Sequence, residues 1–147
     1  MKVSFLALIA GAAITTQASM NAQLGVLLRN SLLGTAIAFV FSSLFTLITV
    51  IVTTRSYPQL ATVQSVPIYL WFSGGALAAF GVGMYYFLIP KMGVGPMMSY
   101  ALAGQLLLAV VMSHFGWFDM PVKQIDFIKL IGILALIAGV ILINIEK

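Results

Sequence analysis

The sequence predicts an all-α membrane protein with five transmembrane helices. Two observations carry this. Of its 147 residues 62% are hydrophobic and 7% charged, against roughly 45–50% apolar and about 25% charged in soluble domains. The apolar residues also fall into five stretches, each long enough to cross a hydrocarbon layer of about 30 Å at roughly 20 residues per span. Those spans and short loops use up the chain, so residues 1–147 read as a single five-helix transmembrane domain with no soluble part.

The first span runs from about Val3 to Leu28, is interrupted by Gln17, Asn21 and Gln23, and stops at Arg29-Asn30. Its opening, MKVSFLALIAGAAITTQA, also resembles a secretory signal, with one Lys, an apolar core and small residues near Ala18. A retained helix is the better reading. Apolar character resumes at Ala22 to Leu28 and leads into another span with no polar mature start. The second span covers about Leu32 to Thr53, with Asn30 or Ser31 placed to cap its first turn. Its hydroxyls at Ser42, Ser43, Thr46 and Thr49 are cheap in lipid if they bond back to their own helix.

Arg55 to Val66 is the longest polar connection. Pro67 then suits the first turn of the third span, about 67–89, and Pro90 is expected to end it near Ile89. A tight connection, Lys91 to Pro96, leads into the fourth span, about 97–115. The following loop, Gly116 to Gln124, places Trp117 at headgroup depth, and the fifth span runs from about 127 to 145 before Glu146-Lys147. No internal repeat or domain boundary is visible.

Charge says little about orientation. With the amino terminus inside, Lys2, Arg55, Lys123 and Lys129 fall on the cytoplasmic side and Arg29, Lys91 and Lys147 outside, four against three. Orientation follows Lys and Arg in short loops. The count slightly favours an inside amino terminus and permits the reverse, so dual insertion and one fixed orientation both stay open. The net charge of +4 contains no basic run that suggests nucleic acid.

The available chemistry is narrow. Cysteine is absent, which excludes disulfides, thiolate metal sites and a cysteine nucleophile. Asp119, Asp126 and Glu146 all sit in loops or at helix ends. A mid-membrane carboxylate is the usual device for exchanging a proton for a cation, so coupling of that kind is disfavoured. An intramembrane enzyme lacks the material: one His, no paired carboxylates and no metal-ligand cluster. Neither cofactor nor metal is expected.

Amides are what the membrane does contain. Gln17 and Asn21 lie four apart on one helical face, and Gln105 sits near the middle of the fourth span. An unpaired amide in hydrocarbon costs several kcal/mol, so these three are expected to face protein or a water-filled cavity. Either they glue helices together or at least one lines a substrate path. Tyr85 or Tyr86 could reach the same cavity, while the other aromatics read as interfacial anchors. His114, the one side chain with an unperturbed pKa near neutrality, is either a proton sensor or a hydrogen-bonded structural residue at the span's end. Gly75, Ala79 and Gly83 repeat every four residues, a spacing that lets helix backbones pack closely.

These residues resemble a known family. QASMNAQLG at Gln17 to Gly25, a Phe- and Ser-containing span, Gly74-Gly75, IPKMGVG and AGQLLLAVVMSHFGWF occur in the order found in the YdcZ-like branch of the drug/metabolite transporter superfamily. The resemblance covers nearly the whole chain, and the GQ followed by HFGW is its most specific part. The family typically places an Asp immediately before that His, whereas Ser113 stands here, so any role of that acid does not carry over.

The resemblance implies half of a ten-helix inverted-repeat transporter, with substrate bound near the midplane. It implies transport by a multi-pass protein of the bacterial inner membrane but carries no substrate with it; the uncharged amides are what suit a small polar metabolite or drug-like solute better than a permanent cation. The expected partners are that solute, membrane lipid, and a second copy in opposed orientation or a paired homologue. A non-transporting membrane subunit, assembling with a different partner through the small-residue face of the third span, is the alternative.

Overall fold

Backbone amides cannot go unpaired in hydrocarbon, and the computed structural model, which describes residues 2–145, satisfies them with helix almost throughout. The helices are α1 (Lys2–Leu27), α2 (Ser31–Thr53), α3 (Leu60–Ser65), α4 (Ile68–Met92), α5 (Val94–Phe115) and α6 (Phe127–Asn144). All but the short α3 are long and apolar enough to cross a membrane. Glu146 and Lys147, read above as closing the fifth span, lie outside the described residues. By its contacts the chain divides into two compact units, Met1–Lys91 and Met92–Lys147.

In the first unit, α1 and α2 form a tight hairpin. The turn is a helix-terminating motif in which the Asn30 N–H donates to the Gly25 carbonyl at 2.9 Å and the Arg29 N–H to that of Val26 at 3.0 Å. Arg29 takes the left-handed conformation this motif requires, φ 53°. Asn30, not Ser31, caps α2, its Oδ1 accepting from the Leu33 N–H at 3.1 Å. Immediately beyond, the backbones nearly touch. A Cβ on Gly34 would stand 3.1 Å from Gly25 Cα and 3.3 Å from the Asn21 carbonyl oxygen. Only glycine admits that approach.

Polar hydroxyls along these helices mostly bond back one turn: Thr15 to Gly11, Thr16 to Ala12, Ser19 to Thr15, Ser43 to Phe39 and Thr49 to Phe45. Each thereby brings its own acceptor into the membrane. Helix α4 meets the hairpin through Gly83, where an added Cβ would lie 3.7 Å from Thr35 Oγ1 and 3.9 Å from Leu32 Cδ2. The buried face of α4 is Gly83, Tyr86 and Ile89, at spacings of three.

Two departures from the sequence reading concern helix ends. The third span does not stop at Ile89, because α4 continues through Pro90 to Met92. A proline this close to a helix C-terminus removes only one of the last main-chain bonds, and Lys91 favours the end by meeting the negative pole of the helix dipole while lying 3.4 Å over the Phe87 ring. The break comes instead at Gly93, with φ 88°. Helix α5 then starts at Val94, with Pro96 in its first turn. The second departure is α3, a short helix inside the connection read as polar loop.

In the second unit, α5 and α6 pair. At one end Asn144 Nδ2 donates to Ser99 Oγ at 2.8 Å and to the Val140 carbonyl at 2.7 Å. At the other, α5 ends on the left-handed Gly116 and a 3-10 turn at Trp117–Asp119. The chain returns along the end of α5, the Lys123 N–H donating to the Ser113 carbonyl at 2.8 Å. Asp126 caps α6 by accepting from the Lys129 N–H at 2.8 Å, while Lys129 Nζ donates to the Gln124 carbonyl.

Candidate functional site

Gln17 and Asn21 stand one turn apart on α1, and Asn21 Nδ2 donates to Gln17 Oε1 at 2.8 Å. Tyr86 reaches them from α4. Its hydroxyl accepts from Asn21 Nδ2 at 3.0 Å and donates to Gln17 Oε1 at 3.1 Å. The three side chains close a ring of hydrogen bonds, anchored by a tyrosine that is only 2% exposed. Beside them on α1, Ala18 is fully buried and Ala22 nearly so.

The ring opens on a groove of about 560 Å³, whose walls include Gln17, Asn21, Phe39, Ser42, Phe45 and Tyr86. Among the described residues no Lys, Arg, His, Asp or Glu lines it. Ser42, Ser43, Thr46 and Thr49 are all able to bond back to their own helix. Ser43 and Thr49 do so, whereas Ser42 lines the groove without such a bond. Its place on that wall, with Phe39 and Phe45, is the part of the site that residue-by-residue reading missed. The signal was present: Ala38, Ser42 and Phe45, all lining the groove, share one helical face.

The remaining expected site residues lie elsewhere. Tyr85, next to Tyr86, is half-buried on α4. Gln105 is exposed on α5, in the second unit. His114 serves the return loop, its Nδ1 accepting from the Ile125 N–H at 3.2 Å. That arrangement uses the neutral imidazole with its proton on Nε2, since an imidazolium donates from both nitrogens. Of the small-residue stripe only Gly83 packs within the chain; Gly75 and Ala79 are exposed, and an added Cβ at Gly75 would meet nothing within 4 Å.

Among the described residues the regular structure is helical, and five helices are long and apolar enough to cross a membrane, which defines the class of small multi-pass membrane proteins. The family model described as "Putative inner membrane exporter, YdcZ" matches residues 3–142, and the chain belongs to this family. No curated protein and no solved structure matches it.

Proposed function

We propose that the protein exports a small polar metabolite or drug-like solute across the inner membrane, and that the groove at Gln17, Asn21 and Tyr86 forms part of its path. The observation that carries this reading is the ring itself. Three polar side chains from two spans meet at one place, and they line an open groove instead of being sealed in a dry helix contact. A purely structural polar cluster needs no such opening.

The working unit in this reading is two copies in opposed orientations, each contributing a single five-helix domain, with the substrate held between them and access alternating by rocking. Apolar side chains exposed along every span, such as Phe5, Phe41, Phe72, Leu102 and Leu142, provide surface for both lipid and a second copy. Gln105, in the second unit, contributes a further hydrogen-bonding amide to the substrate path of the pair, and Tyr85 a wall.

Flux from proteoliposomes tests the proposal. Gln105→Leu and Asn21→Leu are each expected to abolish transport while the dimer stays folded, as judged by its elution profile. Full activity in either variant removes that residue from the path, and absence of any solute flux by the unsubstituted protein favours a non-transporting subunit.

A further inference from the structure

The hydrogen-bond count around the groove defines what it can hold. Within the ring, Gln17 Oε1 accepts twice, Asn21 Nδ2 donates both its hydrogens, and the Tyr86 hydroxyl donates once and accepts once. What is left on these groove-lining side chains is the Gln17 amide N–H₂, a donor, and the Asn21 carbonyl oxygen, an acceptor. The count does not depend on which way the amides are turned. Reversing both leaves the Gln17 carbonyl and the Asn21 N–H₂, again one acceptor and one donor. Ser42, which also lines the groove, adds a hydroxyl able to play either part.

Two further features narrow the ligand. Among the described residues no Lys, Arg, His, Asp or Glu lines the groove, and in a low-dielectric setting a charged ligand without a counter-charge is strongly disfavoured. The rest of the wall is aromatic and aliphatic, with Phe39, Phe41 and Phe45 side by side with Leu24, Ile37 and Val82. Such a surface suits a flat apolar body.

Resting on the reading of this groove as part of the transport path, we propose that it takes an uncharged ligand group carrying a donor and an acceptor side by side, such as a carboxamide, lactam or ureide, attached to a flat apolar body. An amide of that kind answers the free N–H₂ of Gln17 with its carbonyl and the free carbonyl of Asn21 with its N–H. Neither a carboxylate nor an amidinium satisfies both, because the first only accepts and the second only donates.

Three isosteric probes separate the possibilities: benzamide, benzoate and benzamidinium, titrated at neutral pH against the purified full-length protein in lipid nanodiscs. Benzamide is expected to bind saturably, at least about tenfold tighter than either ion, the factor that one lost hydrogen bond of about 1.4 kcal/mol gives. Asn21→Leu is expected to weaken benzamide by a similar factor. Gln17→Glu keeps the side-chain length but installs a carboxylate, and it is expected to turn the preference toward benzamidinium, a gain that a misfolded protein cannot show. If an ion binds the unsubstituted protein as well as benzamide does, and Asn21→Leu weakens it, the site stands and its neutrality is overturned. If benzamide shows no saturable binding, or binds with no dependence on Asn21 or Gln17, the groove as a ligand site is overturned as well.

Discussion

Tyr86 holds the polar ring together by a single oxygen. Tyr86→Phe keeps the packed ring body and removes both hydrogen bonds to α1, leaving Gln17 and Asn21 to pair with each other. A cost of about 1–2 kcal/mol is expected, from about 1 kcal/mol per hydrogen bond, and thermal unfolding in detergent measures it. The amides announced themselves in the sequence, because their cost in hydrocarbon is independent of the fold. Which tyrosine meets them did not. Tyr85 and Tyr86 are adjacent, and successive helix residues point about 100° apart, so the choice rests on the rotation of α4 about its axis. That rotation is set where Gly83 lies against Thr35 and Leu32; the small-residue stripe marks Gly83 as a packing position but does not say which residues it meets.

At the scale of elements, the α1/α2 crossing depends on two glycines, and the α5/α6 pair on the Asn144–Ser99 bond at one end and loop hydrogen bonds at the other. Gly34→Ala drives a Cβ to 3.1 Å from the Gly25 backbone, and backbone cannot yield as a side-chain tip can. Destabilisation of about 1–3 kcal/mol is expected, in the range of overpacking. Gly139→Ala, on α6 with nothing within 4 Å of the added carbon, is expected to be neutral or slightly stabilising by helix propensity. Parallel melting curves for the two variants check the contrast. In the other unit, His114→Ala removes the acceptor for the Ile125 N–H. The return loop is then expected to open more readily, with amide exchange at Ile125 rising about fivefold, equivalent to the roughly 1 kcal/mol of one hydrogen bond. His114→Asn, which offers a carbonyl acceptor at a similar distance, is expected to restore part of the protection. Helix existence was legible from apolar length and composition, whereas the extension through Pro90 to Met92 was not. A proline's effect depends on how many main-chain bonds remain beyond it, and here Gly93, three residues later, supplies the actual break.

For the whole molecule the open question is how many chains work together and which way up. The four-to-three division of basic residues is too even to hold one orientation strongly. Carboxy-terminal reporter fusions, read separately for each compartment, are expected to show both populations. A terminus found on one side alone overturns dual insertion and points to a separately encoded partner. The exposed Gly75 and Ala79 face supplies a second measurement. A Cβ on Gly75 meets nothing within 4 Å, so Gly75→Leu is expected to leave the monomer's melting unchanged and to reduce the dimer fraction where that face meets another copy.

Membrane residence, the number of spans, the scarcity of ionisable groups inside them and the family resemblance were all present in the sequence. Each follows from composition and order along the chain, quantities that need no third dimension. Tertiary structure decided the rest: that Tyr86 closes a ring with Gln17 and Asn21, that Ser42 lines the groove while Ser43 bonds back to its own helix, and that His114 serves a loop. The physical reason is common to all three. A side chain's partner depends on helix rotation and on the few ångströms between backbones, and in a chain apolar on nearly every face the periodicity that reveals rotation in soluble helices is almost erased.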